Sequence, residues 1–150
     1  MARPMFAIIR HAGYHLGSGA ITPEGAADVL KLAKKMAETG TVWQEIRSSP
    51  TTRTSETAYI LGQEMNVPVL LDERLSTDGN IADLLPPTEP QNIAFISHLP
   101  VITHLLRAWS KLFNAEEPPL TEVACGYLIL PEQHAIMPLC PEEEILAPGA

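Results

Sequence analysis

Six residues of this 150-residue chain could carry a chemistry together. Arg10 and His11 follow the apolar run 5–9, Ser49 and Arg53 follow the run 42–48, Glu73 follows 67–71, and His98 follows 92–97. Arginine presents a planar fork of donors that matches phosphate oxygens and stays charged at any relevant pH, so two of them make an anion clamp. A histidine beside such a clamp can act as a nucleophile when its ring is neutral and an acceptor holds its second nitrogen, fixing the tautomer. Phosphoryl transfer asks chiefly for in-line placement and charge neutralisation. Arg10, Arg53 and His98 would supply both around a nucleophilic His11, with no metal and no cofactor required. Glu73 would donate the proton to the leaving group, provided burial and phosphate charge raise its pKa.

These side chains meet only if separate strands deliver them to one rim, and in an open α/β sheet ligands bind beyond the carboxyl ends of the strands. The run 5–9 ends abruptly in charge, as a buried strand does at the edge of its sheet. Thr22-Pro23-Glu24 offers an N-cap hydroxyl, a proline at the first helical position and an early carboxylate. The spacing of Val29, Leu30, Ala33, Met36 and Ala37 predicts a helix over 23–39 with those residues on its core face, ended by Gly40. Ser49-Pro50 repeats the start signal for a helix to about residue 65. Pro100 opens a third through 111, with Ile102, Leu105, Leu106, Trp109 and Leu112 on its core side. Strands alternating with helices predict an α/β three-layer sandwich, a mostly parallel sheet with helices on both faces, as one domain over 1–150. The proline-bearing stretch 75–91 reads as a loop. Segments 122–130 and 134–137 read as late strands, antiparallel at an edge.

Composition narrows the function classes. Ten Lys and Arg against eighteen Asp and Glu give a net charge of −8, which repels polyphosphate backbones at long range and argues against general nucleic-acid binding. No cation follows Lys111, so most of the negative charge sits in the last quarter, read as a solvated acidic face. No apolar run approaches the ~18 residues of a membrane span, and the N-terminal one is too short for a signal-peptide core. Cys125 and Cys140 lie far from every motif and read as two reduced thiols in the core, which points to the cytoplasm.

The ordered fragments IIRHAG at 8–13, ITPEG at 21–25, SSPTTRTSETA at 48–58, LDER at 71–74 and FISHLP at 95–100 resemble the histidine phosphatase superfamily. That group includes the cofactor-dependent phosphoglycerate mutases and the SixA phosphohistidine phosphatases, and the SHLP form is similar to the latter. The resemblance implies a phosphoglycerate mutase-like fold and a phosphatase that hydrolyses phosphoryl groups through a phosphohistidine on His11. Arg10, Arg53 and His98 would form the phosphate pocket, and Ser49 and Pro50 would shape the loop beside it. Glu73 carries over less securely, because family members place the acid on different segments.

The chain departs from the family pattern at Ala12, where glycine is usual. A methyl group there would weaken turnover if the backbone needs a positive φ or close approach to phosphate. Each residue also has a plainer reading. Arg10 and His11 could be an exposed loop pair, His98 a helix cap, Arg53 a surface residue, and Glu73 the partner of Arg74 in a surface ion pair. His15, His104 and His134 show no ligand spacing and read as structural or solvated. Only 45 positions separate Arg53 from His98, which leaves little for a lid and suits a phosphohistidine on a protein. A small phosphomonoester is the alternative substrate, and a phospho-binding module without turnover the alternative class.

Overall fold

The computed structural model describes residues 5–76 and 91–142. Six strands form one sheet: β1 (Phe6–Arg10), β2 (Glu45–Ser48), β3 (Val69–Leu71), β4 (Ile93–Ser97), β5 (Gly126–Leu130) and β6 (Ala135–Leu139). Their order across the sheet is β3-β2-β4-β1-β5-β6. The first four run parallel, and β5 and β6 complete one edge antiparallel. Three helices cover it: α1 (Pro23–Glu38), α2 (Thr52–Met65) and α3 (Leu99–Phe113).

Strand side chains alternate between faces, and that alternation divides the core in two. Ala7 and Ile9 of β1 and Ala94 and Ile96 of β4 pack with Val29, Leu32 and Met36 of α1 and Leu61 of α2. Phe6, Ile8, Ile93 and Phe95 face the other way and pack with Ile102, Leu105 and Trp109 of α3. The result is the expected three-layer α/β arrangement with helices on both faces.

The helix starts follow local chemistry. Thr22 caps α1, its hydroxyl accepting from Gly25 N–H at 2.9 Å, with Pro23 in the first turn. Gly25 has no room for a side chain, since a Cβ there would stand 2.5 Å from the Gly13 carbonyl. This close approach pins the start of α1 to the loop after β1. α2 begins later than its Ser49-Pro50 signal, with Thr51 as N-cap and Pro50 exposed outside the helix. The Ser49 carbonyl instead receives the Thr54 hydroxyl at 2.7 Å. Two helix faces also differ from the periodic reading. Leu30 and Leu112 are 47% and 58% exposed, and Leu32 and Phe113 take the core positions.

The cysteines require a correction. Cys125 and Cys140 form a disulfide, their Cα atoms 4.4 Å apart. Antiparallel pairing of β5 with β6 sets Gly126 against Leu139. One step outward the same register sets the two cysteines opposite each other, so they are not independent core thiols. Disulfides persist in oxidising compartments, so these residues no longer point to the cytoplasm. Among the described residues no helix is long and apolar enough to cross a membrane. The expected loop 75–91 lies mostly outside the described residues, as does the acidic stretch beyond Glu142.

Candidate active site

Sheet hydrogen bonds run one residue past the strand ends into the candidate residues. His11 N–H donates to Ser97 O at 3.2 Å, Ser49 N–H to Ile96 O at 3.1 Å, and Asp72 N–H to Ser48 O at 2.7 Å. The carboxyl ends of β1, β2 and β4 are thereby held in step, and His11, Ser49 and His98 emerge side by side. The His11 and His98 rings lie 5.7 Å apart between centroids.

Each imidazole has its tautomer set by its neighbours. The Nδ1 of His11 lies 3.0 Å from the Ala12 carbonyl. A carbonyl only accepts, so Nδ1 carries the hydrogen and Nε2 keeps a lone pair. For His98, Arg53 Nη2 approaches Nδ1 at 3.2 Å. A guanidinium only donates, so Nδ1 accepts and Nε2–H points to Ser49 Oγ at 3.0 Å and Thr51 Oγ1 at 3.4 Å. Burial is the main cause that holds His11 below the usual histidine value, with Arg53 and Arg10 adding to it against the Ala12 hydrogen bond. Burial likewise pushes His98 down to about 4, helped by Arg53 and His11. Both rings are neutral near pH 7.

The two arginines near the histidines keep a donor unengaged. Arg10 Nη1 donates to Thr121 O at 3.1 Å, yet its Nε is buried with no partner, and Arg53 Nε is in the same condition. Neither has a carboxylate partner among the described residues, whereas Arg47, Arg74 and Arg107 pair with Glu45, Asp72 and Glu117. A buried unpaired donor costs roughly 1–3 kcal/mol, more when charged. An oxyanion between the two guanidinium groups would remove that cost.

Glu73 stands apart from this cluster. It opens a single turn of 3-10 helix, Glu73–Leu75, and is exposed, with no side-chain hydrogen bond or ion pair to the described residues. Arg74 pairs with Asp72 rather than with Glu73. Ser49 meets the cluster through His98. His15, His104 and His134 are exposed, and among the described residues no three His, Cys, Asp or Glu side chains gather as a metal-binding set.

Ala12 is fully buried, and its N–H donates to Thr57 Oγ1 at 2.9 Å. Positive φ occurs at Asn66, Asn114, Ala124 and His134 and at two glycines, but not at Ala12. The backbone there has no need of glycine, and the methyl packs into the core on the α1 face of the sheet.

Sequence reasoning missed several supports. Thr57 steadies the turn after His11, and the segment 121–125 backs it from the other side. Thr121 O holds Arg10, Ala124 N–H donates to His11 O at 3.0 Å, and Arg10 N–H donates to Cys125 O at 2.9 Å. No motif marks these contacts, because most of them are made by backbone atoms. Tyr14, three residues past His11, also touches the cluster; an aromatic ring so close in sequence was the available signal. An open groove of about 600 Å³, lined by Leu30, Lys34, Trp43 and Glu64, lies at the opposite end of the sheet and contains none of these groups.

The chain matches the histidine phosphatase superfamily (branch 1) over residues 14–77, a span that holds Ser49, Arg53 and Glu73 but begins after His11 and ends before His98. No curated protein matches it. Among solved structures, the protein histidine phosphatase SixA complexed with tungstate is similar, with a TM-score of 0.73 and 20% identity, covering 91% of this chain and 97% of that one. The protein called SixA from Agrobacterium tumefaciens gives 0.71 and 18%, covering 99% and 100%. A mycobacterial glucosyl-3-phosphoglycerate phosphatase with VO3 gives 0.59 and 15%, covering 85% and 90%. At such identities the likeness is one of fold.

Proposed function

With the histidine phosphatase superfamily as the family this chain matches, in sequence over residues 14–77 and in fold over nearly its whole length, we propose a phosphatase that works through a phosphohistidine on His11. The observation that carries this reading is the pair of buried, unpartnered guanidinium N–H groups of Arg10 and Arg53 beside a histidine whose Nε2 is unbonded. Substrate oxygens would lie between the two guanidinium groups. The Nε2 lone pair then forms a bond to phosphorus as the bond to the leaving group breaks in line. Water attacks the phosphorus next, the P–N bond breaks, and orthophosphate leaves with neutral His11 restored. Arg10 and Arg53 would stabilise the equatorial oxygens, and His98, its Nε2–H on Ser49, would hold the Arg53 guanidinium through Nδ1.

For substrate we propose a phosphohistidine carried on a protein. Glu73 makes no contact with the cluster, so a leaving group that brings its own proton is favoured. An imidazole protonated on the substrate leaves readily without a positioned carboxylic acid, unlike an alkoxide. Should a small phosphomonoester be the substrate instead, the same pocket would serve and Glu73 would have to approach it. The SixA and glucosyl-3-phosphoglycerate phosphatase neighbours represent those two substrate types in their names.

The test is turnover of a phosphohistidine protein and of p-nitrophenyl phosphate by wild type and His11→Ala, with acid quenching to trap phosphate on the enzyme. Acid-labile phosphate on His11 and loss of turnover in His11→Ala are expected. Turnover that survives His11→Ala would overturn the mechanism. Preference for small phosphomonoesters by orders of magnitude would overturn the protein substrate, and binding without any turnover would leave a phospho-binding module.

A further inference from the structure

Tyr14 touches two members of the site at once. The Arg53 guanidinium carbon lies 4.9 Å from the centre of its ring. The His11 ring meets it edge-on, 5.2 Å between centroids at 81°. The residue is itself anchored: Tyr14 and Ile21 form an isolated antiparallel bridge, and Ile21 N–H donates to Glu56 Oε1 of α2 at 2.8 Å. The ring therefore rides on a loop tied to the helix that also carries Arg53.

Arg53 is otherwise held loosely. Among the described residues its side chain makes one hydrogen bond, Nη2 to His98 Nδ1, and a single hydrogen bond leaves a long side chain free to turn about it. A ring face beneath the guanidinium removes that freedom without occupying any N–H group, because a cation–π contact acts through the π cloud rather than through the donors. Nε thus stays free for an oxyanion. A carboxylate at this position would fix Arg53 equally well but would fill the donors and cancel the charge.

We infer that Tyr14 is a positioning residue: its ring face fixes the Arg53 guanidinium while leaving its N–H groups unengaged, and its perpendicular contact limits the tilt of the His11 ring. This rests on the reading of the cluster as a phosphate site. The hydroxyl plays no part, so Tyr14→Phe should keep the effect. Removing the ring should weaken anion binding about three- to tenfold, the range expected for a partly desolvated cation–π contact.

Titration of orthophosphate into wild type, Tyr14→Phe, Tyr14→Leu and a variant carrying a ring-trifluorinated phenylalanine at position 14 tests this, with thermal melts alongside. Fluorination drains the ring face of negative potential at nearly constant volume, so it separates cation–π holding from simple packing even if the leucine variant is unstable. Phenylalanine should bind as wild type does, and the fluorinated variant should bind several-fold more weakly at an unchanged melting temperature. Equal affinity of the phenylalanine and fluorinated variants would overturn the inference while leaving the phosphate site intact. A wild type that does not bind orthophosphate would overturn the phosphate site as well.

Discussion

Two cationic side chains that keep a buried donor unpaired, in a chain of net charge −8, mark the proposed phosphate pocket at the residue scale. The same neighbourhood sets a pH signature. His98 titrates at about 4 when folded, against an ordinary 6.5. Between those values the unfolded chain binds a proton that the folded chain refuses, so this contribution to stability is complete above pH 6.5 and is lost as pH falls toward about 4. Urea unfolding measured across that window should show His98→Asn with a shallower pH slope than wild type; equal slopes would mean His98 titrates normally. The lowered value of His11 places the acid limb of kcat/KM below pH 6.5 for the same reason. Ala12 yields a separate expectation. Its φ is not positive and its methyl is buried, so Ala12→Gly should leave kcat/KM unchanged and cost about 1 kcal/mol from backbone entropy and lost burial. A several-fold gain in kcat/KM would show instead that the methyl crowds the phosphate. The sequence made Arg10, His11, Arg53 and His98 legible because charged and imidazole side chains at strand ends are conspicuous. It hid Thr57, Thr121 and Ala124, whose threonine or alanine side chains carry no chemical signature and two of which act through backbone atoms.

Elements were readable where a local rule acts alone. Thr22-Pro23 places the start of α1 correctly because cap and proline both lie inside one turn. Ser49-Pro50 misplaces α2, because the cluster engages Ser49 with His98 and so keeps it outside the helix. The β5–β6 hairpin was foreseen as antiparallel, yet its register, which sets Cys125 against Cys140, depends on pairing across the sheet and leaves no trace in either strand's pattern. The disulfide closes a separation of 15 residues, a loop for which cross-linking contributes about 3 kcal/mol in the chain-entropy picture. Reduction with dithiothreitol should therefore lower stability by roughly that amount, and Cys125→Ser with Cys140→Ser should make melting indifferent to reductant. Alkylation of both thiols in air-equilibrated folded protein would show that the bond does not form. Cys125 also accepts the Arg10 amide hydrogen, so the bond stiffens the segment behind the site.

Across the whole molecule, sheet polarity decides where the candidate site lies. Three of the parallel strands, β1, β2 and β4, bring Arg10, His11, Ser49, Arg53 and His98 to one end, while the open groove at Lys34 and Glu64 lies at the other. That separation turns ligand binding into a thermodynamic test of the site. An anion that binds only the folded chain stabilises it by mass action, about 2.7 kcal/mol at one hundred times Kd, which for a domain of this size raises Tm by roughly 5–10 °C. Orthophosphate should produce such a shift in wild type. His11→Ala should retain it, since the guanidinium pair remains, whereas Arg10→Ala and Arg53→Ala should each lose most of it. Lys34→Ala, in the distant groove, should behave as wild type. Scanning calorimetry with and without orthophosphate reads all five proteins on one scale. A shift that survives both arginine variants but disappears with Lys34→Ala would move the anion site to the far groove and remove the basis for a nucleophilic His11.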